Sequence, residues 1–389
     1  YNAFKHAKDP LPHLPCRARR QGRGGGAQSE RKGGHAMKKL VIEREAVKNN
    51  ITVVKDRAGS ACIYAVLTGD GFGAGITELA QLLREEGVGR FAVSEPAEAA
   101  ALRKAGLVEE ELLMLRPTTD REELEQLIDL NVVCTIGSAD TGMALNGVAE
   151  ARSTVAEAHI QIDTGMGFGG FLAAEPDKIL SAYRNLPNVA ISGVYTQIHA
   201  TKRDGRDAAP QLEEFQQVVE AIRAAGFETG VVHAAGSYAL MHYEFARLDA
   251  VRAGSALMGR CRRSRGDGLL KVGYGEVGIE ETRWLPRGHT VGNEQLVTLR
   301  HPTRVAVLPV GYQNGFGVGR ARDAGLWATL RRWRSAKKQT VRINGQKARI
   351  IGRIGAIETI VDVTELKCAA GDAAVFDIDP LYARGFTRE

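Results

Sequence analysis

Apolar, strand-like runs alternate with helix-period segments from Met37 to about Trp284. The runs are Ile63–Leu67, Arg90–Ser94, Leu112–Leu115, Val132–Ile136, His159–Asp163, Ile191–His199, Gly230–Ala235 and Leu248–Leu257. Between them lie stretches such as Thr77–Glu86, Glu98–Lys104 and Leu212–Arg223, whose apolar positions recur at three and four residues, as a half-buried helix requires. Gly87, Gly106 and Gly226 close three of them as helix C-cap signals. Short strands separated by helices predict parallel βαβ units, and roughly eight units over about 200 residues is the plan of a (β/α)8 TIM barrel. An open doubly wound sheet is the alternative. Gly69-Asp-Gly-Phe-Gly-Ala-Gly75 follows the first run, but a lone glycine-rich turn is a weak dinucleotide signal.

The rhythm changes after Trp284. Val305–Val310, Thr340–Ile343, Ala348–Ile351, Thr359–Val363 and Ala373–Asp377 are β-branched runs, and Asn344-Gly345 sits between two of them as a hairpin signal. An antiparallel β domain is expected over residues 284–389, after a barrel over 37–283, with 37–45 a candidate strand for the second domain. Trp327–Lys338 reads as a basic, solvated helical insertion. Residues 1–36 carry Arg17-Ala-Arg-Arg20 and Gly22-Arg-Gly-Gly-Gly26 without an apolar period. They are expected to be a disordered leader outside the native fold, with Met37 as the natural start.

Composition adds limits. Hydrophobic residues at 44% and charged residues at 25% describe an ordinary globular chain. No apolar run is long enough to span a bilayer. The net charge of +6 comes with no basic stripe interleaved with aromatics, which argues against a nucleic-acid partner. Cys16, Cys62, Cys134, Cys261 and Cys368 are scattered and odd in number. No disulfide framework or zinc site is expected, and a reduced cytoplasmic setting fits. Cys62 and Cys134, in apolar runs, are expected to be buried.

Barrel chemistry sits at the C-terminal ends of the strands, and a phosphate is commonly held after strands seven and eight. Those loops carry Gly236-Ser237 and Arg252-Ala-Gly254-Ser255. Glycine-borne N–H groups and a hydroxyl suit an anion; ordinary turn chemistry is the competing explanation. Arg252, inside an apolar run, must face the barrel mouth or pair with a carboxylate. His199 ends the sixth run, as a site residue or a structural one. Asp163 either acts in the site or caps its own loop.

These residues resemble the alanine racemase family. Tyr64-Ala-Val-Leu-Thr-Gly-Asp-Gly-Phe-Gly-Ala-Gly75 resembles that family's cofactor-lysine turn. Asp163-Thr-Gly-Met-Gly167, Thr196-Gln-Ile-His199, His233-Ala-Ala-Gly-Ser237, Arg252-Ala-Gly-Ser-Ala-Leu-Met-Gly259, Gly311-Tyr-Gln-Asn-Gly315 and Gly352-Arg-Ile-Gly355 follow in the family's order. The resemblance implies a pyridoxal-phosphate amino-acid racemase, interconverting L- and D-alanine, in a homodimer whose sites are completed by the partner's β domain. It also implies two bases, since the α-proton leaves one face and returns on the other.

Carried over by position, the cofactor lysine is Thr68 and the opposite-face tyrosine is Asn293. The phosphate-touching tyrosine is Phe72. On the substrate side the expected arginine is Phe168 and the expected methionine is Ala356, with Tyr312 nearby. Ser237, Arg252, Gly254, Ser255, His199 and Tyr382 keep the family pattern, Arg252 with an implied contact to the pyridine nitrogen. Threonine has no amine to join the cofactor aldehyde, and neither Thr68 nor Asn293 titrates near neutral pH. The expectation is therefore a racemase-family protein that is catalytically impaired or repurposed, binding pyridoxal phosphate or another anionic ligand non-covalently. Two alternatives remain: an active racemase using another lysine (Lys55 or Lys202), and a non-catalytic structural or regulatory partner of an active racemase.

Overall fold

The computed structural model describes residues 38–199, 204–261, 267–292, 297–319 and 340–389. The leader, Lys202, Asn293 and the Trp327–Lys338 insertion lie outside them.

Eight parallel strands close a barrel. They are Cys62–Val66, Arg90–Val93, Glu111–Met114, Val132–Ile136, Ala156–Asp163, Val189–Thr196, Val231–His233 and Ala250–Ala253. The first and eighth pair from Ala250↔Cys62 to Ala253↔Ala65, and the fourth and fifth pair at Cys134↔Ala158, so the barrel has no open edge. The helices form where the apolar period requires. Ile76–Glu85 buries Ile76, Leu79, Ala80, Leu82 and Leu83 on one face. Ala139–Ala151 starts at a Ser138 cap whose hydroxyl accepts the Thr141 N–H. Gly87, Gly106 and Gly226 all take positive φ where the helices end, as their positions in the sequence predict.

A nine-stranded sheet, antiparallel apart from one edge pair, forms the second domain. Its order runs Glu281–Leu285, Thr303–Leu308, Thr359–Asp362, Gln346–Ile350, Thr340–Ile343, Ala373–Asp377, Tyr274–Gly278, Lys39–Val41 and Thr387–Arg388. Lys39–Val41 pairs antiparallel with Tyr274–Glu276 and parallel with Thr387–Arg388, so both ends of the described chain meet in one sheet. The sheet begins at Tyr274, ahead of Trp284. Asn344 and Gly345, at φ 50° and 77°, turn the Thr340–Ile350 hairpin. Arg260, at the end of the barrel, donates to the carbonyls of Val272, Gly273 and Ile378 and pairs with Asp377, joining the two domains.

One expectation fails. Cys62 is exposed, although Cys134 is buried. Cys62 is the first residue of the first barrel strand. An apolar run implies burial only where the barrel closes around it, and a strand's first residue stands at the open N-terminal end.

Among the described residues no helix is long and apolar enough to cross a membrane.

Candidate active site at the barrel mouth

Thr68 follows the first strand, half-buried, and opens an unusual turn. Gly69, Asp70, Gly71, Phe72 and Gly73 all have φ between 55° and 81°. Five consecutive left-handed residues make one turn of left-handed helix, which side chains resist. Contacts from distant segments hold it. Glu98 Oε1 accepts the Gly69 N–H at 2.7 Å while its Oε2 takes that of Ser94 at 2.9 Å. Asp70 accepts the Ile76 N–H at 2.9 Å and pairs with Arg388. Pro380 and Leu381 pack on the turn so closely that a Cβ on Gly73 would collide with the Pro380 carbonyl. Tyr382, half-buried, ends that same 3-10 turn.

The residues expected on the phosphate side converge here. Ser237 Oγ accepts the N–H of Gly254 at 3.0 Å and of Ala256 at 3.2 Å, tying the loops after strands seven and eight into one cradle. The Phe72 ring lies over Gly254, where a Cβ would stand 2.7 Å from it. Ser255, between the two tied amides, is half-buried. Phe72, Ser237, Gly254 and Ser255 thus belong to one cluster, with Thr68 at the head of the turn that carries Phe72 and Tyr382 on the segment packed against that turn.

Arg252 enters the barrel interior rather than pairing with a carboxylate. Its Nη2 donates to the Thr196 carbonyl at 2.7 Å and to Gln197 Oε1 at 2.8 Å, and its guanidinium lies 5.0 Å from the Tyr195 ring centroid. Its Nη1 donates to His233 Nδ1 at 2.6 Å. Arginine has no acceptor, so that bond assigns the His233 proton to Nε2, which then donates to His159 Nδ1 at 3.1 Å. His233 is sandwiched between the rings of Tyr64 and Tyr195. Burial, reinforced by the nearby Arg252 charge, pushes the His159 pKa down to about 3 and holds His233 well below its usual range. Burial also lowers Arg252, to about 10, which leaves it charged at neutral pH. Below this pair the Tyr64 hydroxyl donates to Glu111, which also pairs with Arg90 at 2.9 Å.

Other expected residues stand differently. His199 lies three residues beyond its strand's end at Thr196, is exposed, and receives Gln211 Oε1 on its backbone N–H. Asp163 accepts the N–H groups of Gly165, Met166 and Gly167, so its carboxylate caps its own loop. Phe168, on that loop, is 73% exposed. Tyr312 and Ala356 meet in the β domain, where the Tyr312 N–H reaches the Gly355 carbonyl and the Gln313 N–H that of Ala356. Gly315, in the same turn, backs onto the Tyr382 carbonyl. Lys55 bonds the Glu86 carbonyl and lines a cleft with Cys62 and Arg90, where the first two strands begin. That is the end of the barrel opposite Thr68.

The histidine pair, Tyr64, Glu98 and Gln161 are absent from the sequence expectations. The alternation of His159 and Gln161 along an otherwise apolar run is the signal that places those two inside the barrel.

Comparison with known proteins fits this arrangement. The family model described as alanine racemase, N-terminal domain, matches residues 42–261, and that of the alanine racemase C-terminal domain matches residues 276–379. The chain belongs to the alanine racemase family. An alanine racemase from Carboxydothermus hydrogenoformans is 30% identical over 342 residues, covering 86% of this chain and 88% of the relative. One from Desulfosudis oleivorans is 28% identical, covering 86% and 85%. Among solved structures, the alanine racemase of Streptomyces lavendulae superposes with a TM-score of 0.77 at 22% identity, covering 89% and 88%. That of Bartonella henselae, with covalently bound pyridoxal phosphate, gives 0.75 at 20%, covering 91% and 99%. At these identities the structural likeness speaks for the fold. The alanine racemase family is pyridoxal-phosphate dependent, so the chemistry at Thr68 is the point at which this chain must be argued on its own residues.

Proposed function

We propose that this chain binds pyridoxal phosphate, or a similar anionic ligand, without a covalent bond, and that its racemase chemistry is impaired or repurposed. The carrying observation is a cradle kept beside a missing amine: Ser237 draws in the amides of Gly254 and Ala256, while Thr68 occupies the head of the adjoining turn. The Gly254 and Ala256 amides are spent on Ser237 Oγ, which leaves that hydroxyl's own proton and the Ser255 N–H between them as the donors offered to a phosphate, with the Phe72 ring closing the site over Gly254.

When bound, pyridoxal phosphate supplies an electron-withdrawing ring that acidifies the α-proton of an attached amino acid. Ser237, Gly254 and Ser255 hold the phosphate end. Arg252, charged and fixed from behind by His233, presents its cation toward the ring end. Thr68 and Asn293 carry no group that takes or returns a proton near neutral pH. In this reading the functional unit is a homodimer in the cytoplasm, with Tyr312 and Ala356 facing the partner's site, and the substrate is a small amino acid.

The test is borohydride reduction of the full-length protein after incubation with pyridoxal phosphate, followed by peptide mapping. The expected result is no stoichiometric pyridoxyl-lysine, together with a bound absorbance band that dialysis removes. A stoichiometric pyridoxyl-lysine peptide overturns the proposal and identifies the lysine that replaces Thr68.

A further inference from the structure

Gln161 lies on the fifth barrel strand, Ala156–Asp163, two residues beyond His159. His159 points into the barrel, since it bonds His233 and meets the Tyr64 ring edge-on. Side chains alternate along a strand, so Gln161 faces the same interior, one pleat repeat (about 7 Å) nearer the mouth. Its Oε1 lies beside Gly137, just past the end of the fourth strand. The ladder sets it level with Tyr195, whose ring stacks on His233 and carries Arg252.

Gln161 is only 7% exposed, and its Oε1 has no hydrogen-bond partner among the described residues. A buried carboxamide oxygen without a partner is a standing cost, and an apolar side chain would avoid it. Polar groups at the ends of the fifth and sixth strands are engaged elsewhere: Asp163 by its own loop, Gln197 by Arg252, and Thr164 by Thr196 at 2.9 Å. The unpartnered Oε1 therefore points to something that enters the mouth from outside the chain.

We infer that Gln161 is a specificity-determining residue that reads the non-phosphate end of the ligand, an inference that rests on the anion site proposed above. The fifth strand stands across the closed barrel from the first, and the cradle lies between strands seven, eight and one. A ligand seated on Ser237 and Gly254 that reaches Gln161 must cross the mouth past Arg252. Inorganic phosphate is too small to do so. The class that fits is a ring monophosphate bearing a carbonyl, hydroxyl or ring nitrogen remote from its phosphate. The carboxamide both donates and accepts, so it selects for a polar group there without fixing its charge.

The experiment compares wild type, Gln161→Met and Gln161→Asn by calorimetry with inorganic phosphate and with pyridoxal 5′-phosphate, and by thermal unfolding without ligand. Methionine keeps the length and removes both polar ends. Gln161→Met is expected to leave phosphate affinity unchanged, weaken pyridoxal phosphate about tenfold (about 1.4 kcal/mol), and raise the ligand-free Tm by about 2–4 °C. Gln161→Asn, which keeps the amide on a shorter stem, is expected to lose part of the pyridoxal phosphate affinity with no gain in Tm. Should the methionine variant not fold, the asparagine variant decides alone on the ratio of the two affinities. Equal loss for both ligands, or unchanged pyridoxal phosphate affinity, overturns the inference while leaving the cradle standing. A wild type that binds phosphate but not pyridoxal phosphate also overturns it. A wild type that binds neither removes the anion site, and the inference with it.

Discussion

At the scale of single residues, the barrel interior is governed by one buried charge. Arg252 keeps its proton at neutral pH, so every group that packs on it must accept or stay neutral. Carbonyls, Gln197 and the bare Nδ1 of His233 accept, and the two imidazoles remain uncharged. This predicts an acid-sensitive core. His159, facing Arg252, Arg90, His233 and Tyr64, protonates in the folded state only near pH 3, against 6.5 in the unfolded chain. Because the folded pKa is depressed, the unfolded state binds more protons between those values. The contribution is whole above about pH 6.5 and is lost as pH falls toward 3, at up to about 1.4 kcal/mol per pH unit for each such histidine. Urea unfolding of wild type and His159→Gln between pH 7.5 and 4.5 checks this. The variant should start less stable yet lose stability less steeply, and parallel slopes would sink the argument. Of this network only Arg252 is legible in the sequence, as a cation in an apolar run that must face the barrel mouth or find a carboxylate; its histidine partners are not. By contrast Asp163 was legible in kind, since an aspartate before Thr-Gly-Met-Gly is placed to accept the following amides, and it does.

At the scale of elements, the alternation of runs and helical periods gave the barrel and the β domain, because each strand and helix must bury one face whatever its neighbours do. The turn after Thr68 was not legible. Its glycine-rich string reads as a weak dinucleotide signal and, by resemblance, as the family's cofactor-lysine turn, and neither reading gives its left-handed conformation. The contacts that hold that conformation come from Glu98, Pro380 and Arg388, remote in sequence. Gly73 and Gly106 separate backbone strain from tertiary fit. Both have positive φ, 81° and 88°, but a Cβ at Gly106 meets nothing within 4 Å, whereas one at Gly73 strikes the Pro380 carbonyl. Gly106→Ala is therefore expected to cost about 1 kcal/mol. Gly73→Ala should cost clearly more, about 2–4 kcal/mol, and weaken phosphate binding by displacing the Phe72 ring from Gly254. Urea midpoints at pH 7.5 decide it, and equal costs would mean that the turn is not clamped by the C-terminal segment.

At the scale of the whole molecule, scaffold and chemistry part company. A closed barrel, a sheet that gathers both ends of the described chain, and the Arg260 ties between domains keep the architecture of an alanine racemase. In the function proposed above, the sequence departs where a proton would be moved. If the fold is intact and only the bases are gone, then restoring both should return activity that neither returns alone. Thr68→Lys supplies an amine at the head of the left-handed turn, where Gly69, Gly71 and Gly73 add no side-chain bulk. Asn293→Tyr supplies the second base. Racemisation needs a base on each face, so the two act as a unit and their effects should be strongly non-additive. Thr68→Lys alone is expected to form a borohydride-trappable link to pyridoxal phosphate and to exchange the α-proton of alanine from one face. The double variant should racemise alanine measurably, though below a full racemase, because exposed Phe168 offers no cation to a substrate carboxylate. The measurement is chiral chromatography of alanine beside deuterium uptake at Cα, for wild type, both single variants and the double. A wild type as fast as the double variant would show that Thr68 and Asn293 are not lost bases. A double variant no faster than Thr68→Lys would show that position 293 does not stand on the opposite face.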